Sequence, residues 1–86
     1  MAAPAWKSAS EIAEGYLVLN QATMKRLLPA ELAALQQELE KVTRDTRTQI
    51  VPQDDPEGAQ KKGRRLLRLS QALVVLQSYR SRLGRV

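Results

Sequence analysis

The sequence contains no cysteine, no histidine and no phenylalanine. Without cysteine the chain can form no disulfide, and without histidine it lacks the commonest metal ligand and general base. Small secreted domains usually carry disulfides, so we expect an intracellular protein, in the nucleus or the cytoplasm. A chain of 86 residues buries only about 60% of its unfolded surface, so we expect one small domain with a marginal core.

Long apolar runs are also missing. The longest unbroken run, residues 72–76, has five residues, far fewer than the roughly 20 that span a bilayer, so we do not expect a membrane partner. The first ten residues contain no apolar core of signal-peptide length. Glu11 and Glu14 fit a mitochondrial presequence poorly, which makes the mitochondrion the less favoured location.

No set of residues indicates catalysis. A nucleophilic serine requires a positioned base, and the chain has no histidine to serve as one. Asp54 and Asp55 are adjacent but lie in a proline-rich stretch, which is typical of turns and helix caps. There is no glycine-rich phosphate loop. We therefore expect a protein that is not an enzyme and that has no cofactor and no metal site.

Charge is distributed unevenly along the chain. Residues 1–58 contain six basic and nine acidic residues, a net charge of −3, whereas residues 59–86 contain eight basic residues and no acid. A stretch of eight positive charges without a negative one is typical of a segment that contacts an acidic partner, a nucleic acid or solvent.

The first helix is predicted over residues 8–27. Ser8 and Glu11 have the spacing of a capping box, in which each side chain accepts a hydrogen bond from the main chain of the other. Ile12, Tyr16 and Leu19 recur at steps of four and three, so we expect them to share one face.

Two longer helices are predicted over residues 29–49 and about 59–83, joined by a loop over residues 50–58. Pro29 suits the first position of a helix, and two prolines, two aspartates and a glycine mark the loop. Pro56 is an alternative start for the last helix. Each long helix carries an apolar seam at steps of three and four: Leu32, Leu35, Leu39 and Val42, then Leu66, Leu69, Leu73 and Leu76.

These elements predict an all-α fold in which the whole chain, residues 1–86, forms one domain. We expect an antiparallel, coiled-coil-like helical hairpin with an additional N-terminal helix. The last helix is apolar over a wider arc than one neighbouring helix covers. This outer arc consists of Leu67, Val74, Val75 and Tyr79, and we expect it to bind the first helix or a partner protein.

A basic run opens the last helix: Lys61, Lys62, Arg64, Arg65 and Arg68. The cluster has the composition of a nuclear-import signal, and it could equally contact nucleic-acid phosphates. With its leucines it also resembles a membrane-surface or calmodulin-target helix. The simplest interpretation is a solvated face that balances the acidic second helix. The run contains no aromatic residue on which a base could stack, so only charge-driven nucleic-acid contact is expected.

Together these features predict a small helical adaptor or assembly subunit of a multi-protein complex. It would act through leucine-rich helix contacts and a basic C-terminal helix, as part of a hetero-complex or a homodimer. The alternative is a charge-driven nucleic-acid-binding protein without sequence specificity. The single tryptophan, Trp6, is expected to cover one end of the core, with anchoring in a partner pocket as the alternative.

Overall fold

The computed structural model describes residues 4–83, in which every regular element is an α-helix. Helix α1 spans Ala5–Glu14, α2 spans Gln21–Met24, α3 spans Pro29–Thr48 and α4 spans Pro56–Leu83. Helices α3 and α4 pack along each other, and α1 packs against both. The predicted all-α hairpin with an additional N-terminal helix is confirmed.

Two side-chain hydrogen bonds show that α3 and α4 run antiparallel. Arg80, late in α4, donates from Nη1 to Oε1 of Gln36, early in α3, over 2.6 Å. Lys62, early in α4, donates from Nζ to the main-chain oxygen of Gln49, just after α3, over 2.7 Å. Positions that are far apart in sequence therefore meet in reverse order along the two helices.

Most of the predicted leucine seams form the core of the hairpin, but Leu66 is only partly buried and lies outside it. Leu32, Leu39, Leu69 and Leu76 are almost completely buried, together with Met24 from α2. Such side chains are each worth about 1.5–3 kcal/mol when removed from water, so this set is the main source of stability.

Two threonines extend the α3 seam toward the loop. Val42 is only partly buried, whereas Thr43 and Thr46 are buried. Four and seven residues after Leu39, both lie on its face of the helix. The Thr43 hydroxyl donates to the main-chain oxygen of Leu39 over 2.7 Å, which satisfies its polar group inside the bundle.

The predicted single helix over residues 8–27 is instead two helices. Helix α1 ends at Gly15, whose φ of +86° is left-handed and favours glycine. Asn20 then starts α2 with a reciprocal cap: its Oδ1 accepts from the Thr23 N–H over 3.0 Å, and its own N–H donates to the Thr23 hydroxyl over 2.9 Å. Because the helix stops first, Tyr16 is 83% exposed and does not share the buried face of Ile12.

Two other boundaries differ from the sequence prediction. Helix α1 begins at Ala5, and the Pro4 oxygen accepts the first helical hydrogen bonds, so Ser8 lies inside the helix and does not cap it. Helix α4 begins at Pro56, since Asp55 Oδ1 accepts from the Gly58 N–H over 3.0 Å and caps the first turn.

Candidate partner-binding surface

The outer arc of α4 is largely uncovered by the rest of the chain. Val74 is 64% exposed, Leu67 58% and Val75 37%, although α1 packs against the same helix. Tyr79 differs from the other three because it is partly buried and packs against the core. Three of the four predicted partner-binding residues are therefore accessible, and the fourth partly supports the bundle.

A groove lies beside α4 and brings part of this arc together with residues of the α1–α2 connection. It has a volume of about 380 Å³ and a mainly apolar surface. Ala72 and Val75 line it from α4, and Leu17, Val18 and Leu19 line it from the opposite side.

A second groove of about 360 Å³ continues along the same side of α4. Val75 lines both grooves, so they meet at this residue. Val74, Tyr79 and Arg82 line the second groove from α4, and Met24 lines it from α2. Leu67 lines neither groove, but it is exposed on the same face of α4 as Val74, seven residues later.

The second wall of the groove was not identified from the sequence. Val18 is 71% exposed and lines the first groove together with Val75, yet it lies in a stretch predicted to be helical. Two signals in the sequence mark the break: a glycine at position 15 and an asparagine at position 20, the residue types that end and begin helices.

Two arginines of the basic run, Arg65 and Arg68, form contacts with α1. Arg68 Nη1 donates to the main-chain oxygen of Ala13 over 2.8 Å, at the C-terminal end of α1. Arg65 forms an ion pair with Glu14 at 2.9 Å, one residue later. Cations are favourable at helix C-termini, where main-chain oxygens lack helical partners, so these two arginines attach α1 to α4.

Lys62 attaches the C-terminal end of α3 to α4 in a similar way. Its ammonium group donates to the main-chain oxygens of Gln49 and Arg47, over 2.7 and 3.2 Å. Lys61 and Arg64 are exposed, and no hydrogen bond or ion pair to another part of residues 4–83 holds their side chains. The five-residue run thus divides into three structural cations and two that face solvent.

Trp6 occupies an unexpected position. It is 63% exposed on α1, so the expectation that it covers one end of the core is wrong. Ala9, Ile12 and Ala13 are the buried residues of this helix, whereas Trp6, in the first turn, stays exposed although it lies three and seven residues before Ala9 and Ala13.

Residues 4–83 contain neither a candidate metal site nor a membrane-spanning helix. No group of three or more histidine, cysteine, aspartate or glutamate residues there could hold a metal ion. None of the four helices, in the ranges given above, combines the length and the apolar character needed to cross a membrane.

Comparisons with known proteins identify no relative: no protein-family model, no curated protein and no solved structure matches the chain.

Proposed function

We propose that this protein is a non-enzymatic intracellular adaptor or assembly subunit that binds another protein through the outer arc of α4. The observation that carries the proposal is the exposure of Leu67, Val74 and Val75 on a helix whose other side forms the core. Exposed apolar residues that lie together, rimmed by polar ones, are characteristic of interaction surfaces.

A domain of this size buries little apolar surface and is only marginally stable. Full burial of a valine or leucine is worth about 1.5–3 kcal/mol, and a domain of this kind has a stability of about 5–15 kcal/mol. Leu67 and Val74 are largely exposed and Val75 is partly exposed, so their burial would add stability that the isolated chain does not have. A partner that covers them would supply it.

The basic run supports a protein partner better than a nucleic acid. Lys62, Arg65 and Arg68 direct donors at main-chain oxygens or at Glu14, which leaves Lys61 and Arg64 as the cations of the run that face solvent. Nucleic-acid affinity grows with the number of phosphates that are neutralised, and two cations provide little.

The proposal is tested by comparing binding partners of matched variants in the cell. Leu67→Glu/Val74→Glu places two carboxylates on the outer arc, and Ile50→Glu is the control because Ile50 is 91% exposed in the loop. We expect the double variant to lose specific partners that wild type and Ile50→Glu retain, measured by quantitative mass spectrometry of tagged chains. Identical partner sets for all three proteins would reject the proposal.

A salt titration separates the nucleic-acid alternative. For duplex DNA the slope of log K against log salt concentration is about −0.9 per phosphate contact, so contact through the two solvent-facing cations of the basic run predicts a shallow slope of about −2 with weak binding. A slope of −5 or steeper would mean that many more cations contact phosphate, and it would favour the alternative function.

A further inference from the structure

We infer that the groove along α4 binds an acidic amphipathic helix of a partner protein, which contacts Val18 in the first part of the groove and Val74 in the second. This inference rests on the proposed function and specifies the chemistry of the partner. It depends on the residues that line the groove, on their charges and on the length of the groove.

The shape of the groove suits a helix. Its two parts share Val75 and extend along α4 from Arg68 to Arg82. Fourteen steps of 1.5 Å from Arg68 to Arg82 give a length of about 21 Å, which corresponds to about four helical turns of a ligand. Apolar side chains at steps of three and four on such a ligand would enter between the valines, as in other helix-in-groove complexes.

The charge of the groove selects an acidic ligand. Arg68 and Arg82 stand at its two ends, and no aspartate or glutamate is among the residues that line it. Arg68 uses one N–H on Ala13, and a guanidinium has five, so donors remain for a carboxylate. Lys25 and Arg26 are exposed and directly follow Met24, which lines the second part of the groove.

The same charges argue against a second copy of the chain as the occupant. Helix α4 carries seven basic residues and a single acid, Glu57. Pairing α4 with α4 across a two-fold axis would bring these sets of positive charge together, which is unfavourable at distances within about 8 Å at physiological salt. A ligand helix with glutamates or aspartates beside its apolar stripe is instead attracted by the positive charge of α4.

The test is a selection from a display library of helical peptides of varied charge and apolar spacing, with the full chain as bait. The selected peptides are then synthesised, and their affinities are measured for wild type, Val18→Glu, Val74→Glu and Ile50→Glu. Each variant is first confirmed to be folded by its circular dichroism and cooperative unfolding. Sedimentation of the free chain is measured in parallel.

We expect acidic peptides with apolar residues at steps of three and four to be enriched. Their binding should weaken at least tenfold in Val18→Glu and in Val74→Glu, remain unchanged in Ile50→Glu and decrease with salt. Enrichment of basic or uncharged peptides would overturn the inference, as would the absence of any enrichment. A dimer that Val74→Glu dissociates would also overturn it, because a second copy would then occupy the groove.

The outcomes distinguish this inference from the proposed function. If the selection fails but the cellular partners still depend on the outer arc, only the chemistry of the ligand is wrong. If the partner sets are also identical for the outer-arc variant and its control, the proposed function fails as well.

Discussion

The guanidinium of Arg68 donates a hydrogen bond to the main-chain oxygen of Ala13, 2.8 Å away and 55 residues earlier in the chain. It therefore completes the end of α1 and fixes that helix on α4. We expect Arg68→Ala to destabilise the fold by about 1–2 kcal/mol, since it leaves a main-chain oxygen without its charged donor. Urea denaturation measures the change. Arg64→Ala, in the same run but exposed, is the control, and equal effects would contradict the assignment.

Lys62 and Lys61 form a matched pair for the end of α3. The Lys62 ammonium binds two main-chain oxygens there, whereas Lys61 is exposed. We expect Lys62→Ala to lower the free energy of unfolding by about 1 kcal/mol and Lys61→Ala to change it by less than about 0.5 kcal/mol. Thermal melts of both variants compare them, and a larger effect at Lys61 would show that the cap is misassigned.

Two glycines should respond to alanine with opposite signs. Gly15 has a φ of +86°, and a Cβ there would lie 3.3 Å from the Arg68 side chain, so Gly15→Ala should cost about 1–2 kcal/mol. Gly63 lies within α4 with open space around it, so Gly63→Ala should stabilise by about 0.5–1 kcal/mol. Denaturation midpoints give both signs, and a neutral or stabilising Gly15→Ala would mean that α1 does not end there.

Leucines on opposite sides of α4 should differ strongly in their contribution to stability. Leu76 is fully buried, and Leu76→Ala should cost about 2–5 kcal/mol because it leaves a cavity. Leu67 is 58% exposed, and Leu67→Ala should cost less than about 1 kcal/mol. Chemical denaturation of the two variants tests which side of the helix faces the core, and a reversed order would exchange the two faces.

Trp6 offers a direct optical test because it is the only tryptophan in the chain. At 63% exposure it should emit near the wavelength of indole in water, and acrylamide should quench it efficiently. An emission maximum shifted to the blue, with weak quenching, would place the indole in the core or in an interface between copies.

The hairpin could be predicted because its apolar residues repeat at steps of three and four over two long segments bounded by proline. Leu39 and Leu76 are buried where that spacing places them. The start of α4 at Pro56, which the sequence offered as the alternative to residue 59, also follows a local rule, because Asp55 caps the first turn. Such features depend on neighbours a few residues away, which the sequence displays directly.

The division of the basic run could not be predicted in this way. Whether Lys62 or Lys61 reaches the end of α3 depends on the rotation of α4 against α3, and the contact from Arg68 to Ala13 depends on where α1 stops. The break at Gly15 decides that point, and it also turns Val18 into a wall of the groove. Because the sequence did not predict that α1 ends at Gly15, it predicted neither the contact from Arg68 to Ala13 nor the part of the groove that Val18 lines.

The antiparallel arrangement has a consequence for how the molecule can be joined to others. The first turn of α1 lies beside Leu35, and Arg80 near the end of α4 contacts Gln36, so both extremities of the described fold emerge at one pole. The connection over residues 49–55 occupies the opposite pole. A short bridge between the two extremities, with new ends opened at Gln53, should give a circularly permuted chain with the same helical packing.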